Sequence, residues 1–158
     1  MGGMNLQLLQ IILQAVSSLA IAGGLIFAAV TFHHARRAQH VGNFTRLVEL
    51  QMQLRKMRVD DPSLASVYQH DVQGMSSDRE IREYFMNLMQ LSVFEIVWFS
   101  HRHGQLPDDY YQSWVERMKA IEQEESFIRM ISTPSMKILH NDFQKYILDM
   151  TNARRTSA

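Results

Sequence analysis

From Met1 to His34 the chain carries no Asp, Glu, Lys or Arg, and within that stretch Leu8 to Phe32 reads LLQIILQAVSSLAIAGGLIFAAVTF. A helix rises about 1.5 Å per residue, so roughly 20 apolar residues cross the hydrocarbon core of a bilayer. These 25 residues suffice with some tilt, and residues 1–34 are expected to form a short tail plus one transmembrane helix. A cleaved signal peptide is the rival reading, since Ser18-Leu19-Ala20 has the small-x-small shape of a cleavage site. No basic segment precedes the run, and strongly apolar sequence continues well past Ala20. Both features argue for a retained span.

The charges sort sharply. All 16 basic and 16 acidic residues fall between Ala35 and Ala158, giving a formal net charge of zero. A composition split in this way belongs to a membrane segment joined to a soluble one. The far side of the span opens with His33-His34-Ala35-Arg36-Arg37, followed by Arg46, Arg55, Lys56 and Arg58. Lys and Arg accumulate on cytoplasmic flanks, so the expected placement is the inner membrane, N-terminus outside and C-terminal domain cytoplasmic. Arg36, Arg37 and Arg46 form a basic belt where anionic headgroups attract it by about 1 kcal/mol per charge. Without a basic excess to neutralise a phosphate backbone, nucleic acid is not an expected partner.

The span itself has a preferred face. Gln10, Gln14, Ser17, Gly24 and Ala28 lie along one helical stripe, with Ala20 beside it. Ala20, Gly24 and Ala28 make a small-xxx-small series that lets a second helix approach closely. Glutamine amides in hydrocarbon need hydrogen-bond partners that lipid tails do not offer. The plain alternative puts the glutamines at the outer interface, in water. The sharing of one face by polar and small residues favours packing against another membrane protein.

Residues 35–150 are expected to form a helical bundle of about four to five helices, with 151–158 as a polar tail. Overall the chain is all-α. Leu47, Leu50, Leu54 and Met57 recur at three-to-four spacing, the apolar face of an amphipathic helix that continues from the membrane past a soft spot at Gly42-Asn43. Asp60-Asp61-Pro62 ends that helix, and Asp61 caps a short one starting at Pro62. Ser77-Asp78-Arg79-Glu80 is a capping-box pattern opening a long helix to about Arg102, where Gly104 stops it. Its middle, Tyr84 to Phe99, is apolar on nearly every side, as suits a central helix; a carboxylate at Glu95 makes a second span too expensive. Pro107-Asp108-Asp109 starts a further helix. Pro134 is expected to open the last one, with Ile138, Leu139, Phe143, Tyr146, Ile147 and Met150 as its apolar face.

In order along the chain come Asn43-x-x-Arg46-Leu47, Asp60-Asp61-Pro62, Phe94-Glu95, Gly104-x-Leu106-Pro107, Tyr111-x-x-Trp114 and Phe143-x-x-Tyr146-Ile147. This order resembles that of uncharacterised bacterial single-span membrane proteins with a cytoplasmic all-helical domain of unknown function. The resemblance covers roughly Ala35 to Ile147. It implies fold and topology, and brings no catalytic residues with it.

Glu95 is the most telling ionisable residue, because an unpaired buried carboxylate costs several kcal/mol. Arg46 and Arg55 are the candidate partners, and Glu95 with Arg46 is the expected buried structural pair. Seven histidines invite a metal reading, but none has the i, i+4 spacing with a third ligand, and HExxH is absent. Ala29-x-x-x-His33 resembles the spacing by which light-harvesting helices hold bacteriochlorophyll; a boundary His33 against headgroups or a partner is the simpler role. Zero cysteines exclude a disulfide framework, thiolate metal sites and a cysteine nucleophile. Eleven methionines, among them Met52, Met57, Met86, Met89, Met118, Met130, Met136 and Met150, read as filler for an irregular helical core. No glycine-rich phosphate loop or nucleophile elbow occurs. The expectation is therefore no enzyme, no cofactor and no metal. The chain reads as an accessory subunit of a larger bacterial membrane complex, photosynthetic and respiratory assemblies being candidates. The alternative is a membrane-tethered adaptor for a soluble partner.

Overall fold

The computed structural model describes residues 2–133 and 137–155, and all of its regular structure is helical. Helix α1 spans Gly2–Asp60, followed by a 3-10 helix at Pro62–Asp71, then α2 (Asp78–Arg102), α3 (Asp108–Ile121), α4 (Glu125–Ser132) and α5 (Asn141–Arg155). Packing divides the chain into two units, between His40 and Val41.

The first unit is helix alone. It contains an apolar stretch long enough to cross a membrane by length and composition, with a mean hydropathy of 2.1 and none of it buried. The expected stripe residues Gln10, Gln14, Ser17, Ala20, Gly24 and Ala28 are all exposed. At its polar end the Arg36 guanidinium lies over the Phe32 ring, 4.9 Å from its centroid.

The second unit is built around α2, as the apolar middle of that helix requires. Tyr84, Phe85, Leu88, Leu91, Phe94, Val97, Trp98 and Phe99 are all buried, and the 3-10 helix, α3, α4 and α5 each pack on α2. Its N-terminus is capped by Ser77, whose hydroxyl accepts the Glu80 N–H. Glu80 reaches back one residue further than a standard capping box, accepting the Ser76 N–H at 2.7 Å. Gly104, at φ +70°, stops the helix, its N–H returning to the His101 carbonyl at 2.9 Å. Only glycine takes that backbone conformation without strain. Asp61 caps the 3-10 helix, accepting from the Ser63 N–H at 3.0 Å and hydroxyl at 2.7 Å.

Two expectations are corrected here. The face of α1 that packs in the second unit is Val41, Val48 and Arg55, with Phe44 and Val59 alongside. Leu47, Leu50, Leu54 and Met57 instead point outward, because Phe44 stacks on Phe99 at 4.0 Å and fixes the helix's rotation. The last helix opens at Asn141, not at Pro134, which lies outside the described residues together with Ser135 and Met136. Lys137–His140 is non-helical, Ile138 is exposed, and α5 continues through Arg155 into the stretch read as tail. Of the methionines, Met118 and Met130 are buried, Met75 and Met150 pack against the core, and Met57 and Met86 are exposed.

Candidate functional site

Helices α1 and α2 meet at a buried polar cluster, and a groove opens beside it. Arg55 is carried inward by the same helical face as Val41 and Val48. Its guanidinium donates to the Ser92 hydroxyl, to the Leu88 carbonyl at 3.3 Å and to the Gln51 side-chain oxygen at 3.4 Å. Ser92 in turn donates to the Leu88 carbonyl at 2.9 Å. A serine on an apolar helix is thus explained: it gives a buried cation a neutral oxygen to bind.

Glu95 lies one turn beyond Ser92 and is 2 % exposed. Its carboxylate accepts the backbone N–H of His140, the last residue before α5. Burial pushes the Glu95 carboxyl above its usual range, opposed by the His140 N–H and by the charge of Arg55. Burial likewise pulls Arg55 below its ordinary value, opposed chiefly by Glu95. Each charge thus offsets part of the other's desolvation, the condition for keeping both in an interior.

The expected partner was wrong. Arg46 is an exposed residue pairing with Glu49 at 3.7 Å, and the cation whose charge reaches the Glu95 carboxyl is Arg55, which bonds Ser92 and Leu88 instead. The two arginines are nine residues apart, which at about 100° per residue leaves them on opposite sides of one helix. Only one of them can face α2.

Beside the cluster, Gln51, Leu54, Arg58, Asp71, Phe85 and Leu88 line part of a groove of about 370 Å³. Arg58 pairs with Asp71 at 3.3 Å and lies over Phe85 at 4.9 Å from the ring centroid, so the groove's cationic wall is held in place. A second, shallower surface lies at the C-terminal end of α2. There His101 stacks on Tyr111 at 3.9 Å and bonds Asp108 at 2.7 Å, while Arg102 pairs with Asp142 at 2.8 Å. The Tyr111 hydroxyl sits 3.5 Å from that of Tyr146, and burial pushes it above its ordinary value. These contacts tie α3 and α5 to α2. His103 is similarly structural, its Nδ1 lying 2.8 Å from the Phe99 carbonyl.

Sequence reasoning missed Ser92 and His140. A serine in an apolar run is a signal, read afterwards as a seat for a buried donor. His140 acts through its backbone, which no side-chain pattern announces. Among the described residues, no three His, Asp or Glu side chains are grouped to hold a metal ion.

A family model described as "Family of unknown function (DUF6082)" matches residues 9–124. The chain belongs to that family. The DUF6082 match begins inside the apolar helix and ends just before α4, so the Arg55, Ser92 and Glu95 cluster lies within it and His140 outside. No curated protein and no solved structure matches the chain.

Proposed function

We propose that this protein is a non-catalytic accessory subunit of a larger bacterial membrane complex. The apolar helix anchors it, N-terminus outside, and the helical domain docks on the cytoplasmic side. The observation that carries this reading is the apolar helix itself. Its Leu, Ile, Val and Phe side chains are exposed among the described residues, and the window that passes the membrane test is wholly unburied. Leaving each such side chain in water rather than apolar surroundings costs about 1.5–3 kcal/mol. A bilayer removes that cost, and the Gln10-Gln14-Ser17-Gly24-Ala28 stripe offers the surface for a neighbouring helix. At Gly24, among the described residues, nothing beyond its own helical turn lies within 4 Å of an added Cβ, which leaves room for a close approach. Two attachments in one chain, by span and by domain, bind more firmly than either alone. Arg36 and Arg37 supply the headgroup contact.

Gentle detergent extraction, size exclusion and mass spectrometry test the reading, with other membrane proteins expected to co-elute at fixed stoichiometry. Gly24→Leu is expected to weaken that co-purification several-fold while leaving insertion intact. Unchanged co-purification in the variant sinks the stripe as the docking face. The groove beside Arg55 and Arg58 favours a second reading, a membrane-tethered adaptor that recruits a soluble partner. In that case Leu54→Asp abolishes recruitment and Gly24→Leu has no effect.

A further inference from the structure

The groove beside Arg55 joins an apolar lining to an excess of positive charge. Phe85 and Leu88 are buried and form its floor, while Leu54 and Ile138, exposed at 61 and 64 %, stand at its rim. Its charged groups are two guanidiniums, Arg55 and Arg58, against one carboxylate, Asp71. Asp71 turns one oxygen to Arg58 at 3.3 Å and the other to His70 at 3.1 Å. Arg58 is thereby matched by a carboxylate in direct contact. Arg55 is not.

Arg55 is only 6 % exposed, and a charge so buried is ordinarily paired with an opposite one. Its hydrogen bonds go instead to the neutral oxygens of Ser92, Leu88 and Gln51, and among the described residues it forms no ion pair. Glu95 compensates it at longer range, but that carboxylate is bound to the His140 N–H and is not part of the groove's lining. A carboxylate entering from the groove would meet a buried cation with no counter-ion in contact, where a charge-assisted bond is stronger than in water.

Size decides the kind of occupant. A groove of about 370 Å³ lies within the ~300–1,000 Å³ of small-molecule sites, whose usual lining is apolar with a few placed polar groups. A protein helix, about 10–12 Å across with its side chains, could only lie over the mouth. One cation without a contact partner calls for one negative charge, and a second would face Asp71. We propose that the groove binds a small organic monocarboxylate, its apolar body on Leu54, Phe85, Leu88 and Ile138 and its carboxylate on the Arg55 guanidinium. Every residue of this site belongs to the second unit, so the site does not depend on the membrane reading.

Isothermal titration calorimetry on the full chain in lipid nanodiscs, with empty nanodiscs as the blank, tests the site. The probes are 4-phenylbutyrate and octanoate, each compared with its neutral amide. At least one carboxylate is expected to bind once per chain, about tenfold more tightly than its amide. Leu54→Glu sets a like charge at the exposed rim and is expected to remove that preference. Gln53→Glu makes the same charge change at an exposed position off the groove and is expected to keep it. Arg55→Gln is expected to bind carboxylate no better than amide; if circular dichroism shows that this variant does not fold, the two rim comparisons decide. No heat beyond the blank from either carboxylate, or equal affinity for acid and amide, overturns the site. So does a preference that survives Leu54→Glu or folded Arg55→Gln, or one that Gln53→Glu removes equally well.

Discussion

At the centre of the helical domain one carboxylate, Glu95, accepts the His140 N–H and faces the charge of Arg55 across the interior. Truncating it leaves a buried donor unpaired and a buried cation uncompensated, so Glu95→Ala is expected to cost about 3 kcal/mol, read by denaturant unfolding. The pH dependence has a definite sign. Burial raises Glu95 in the folded state, so the folded chain holds that proton more tightly than the unfolded one. Its contribution to stability is fully present below the ordinary value of 4.5 and is lost as pH rises through the raised folded value. Glu95→Gln keeps an acceptor for His140 and removes the titration, so unfolding free energy measured across that window is expected to flatten. An unchanged slope contradicts this account. Glu95 was legible as a charge in an apolar run, but its partner was not. Arg46 lies nearer the leucine stripe, which turns outward, and on the opposite side of the helix from the buried Arg55. Which face turns inward is decided by α2, which the local pattern of α1 does not contain.

Element boundaries were legible where backbone chemistry is local. Ser77 and Gly104 mark the two ends of α2, one through a side-chain cap and the other through a positive φ. Gly104→Ala forces a Cβ into that conformation and is expected to destabilise the domain by about 1 kcal/mol, seen as a lowered midpoint in thermal unfolding. The same change at Gly42, whose backbone is helical, is expected to be neutral or slightly stabilising. The start of α5 was illegible for the complementary reason. Proline at 134 is a fair helix opener, but Glu95 holds the His140 N–H and the His140 carbonyl accepts the Gln144 N–H at 2.9 Å, so the first turn forms there. A tertiary hydrogen bond from 45 residues away set that boundary.

For the whole molecule, charge distribution and length were enough to separate an apolar helix from a charged helical domain, because both follow from composition along the chain. The domain's exposed leucines were visible as a pattern, while their outward direction needed the fold. A long apolar helix, a stripe of polar and small residues on it and an exposed leucine face on the domain are the features on which the proposed docking rests. The most direct test is labelling of a single cysteine at Lys56 with a membrane-impermeant maleimide, in sealed, alkaline-washed vesicles of both orientations. The account predicts that the chain stays with the vesicles and that the cysteine is labelled only in inverted ones. Labelling in right-side-out vesicles, or loss of the chain in the wash, contradicts it.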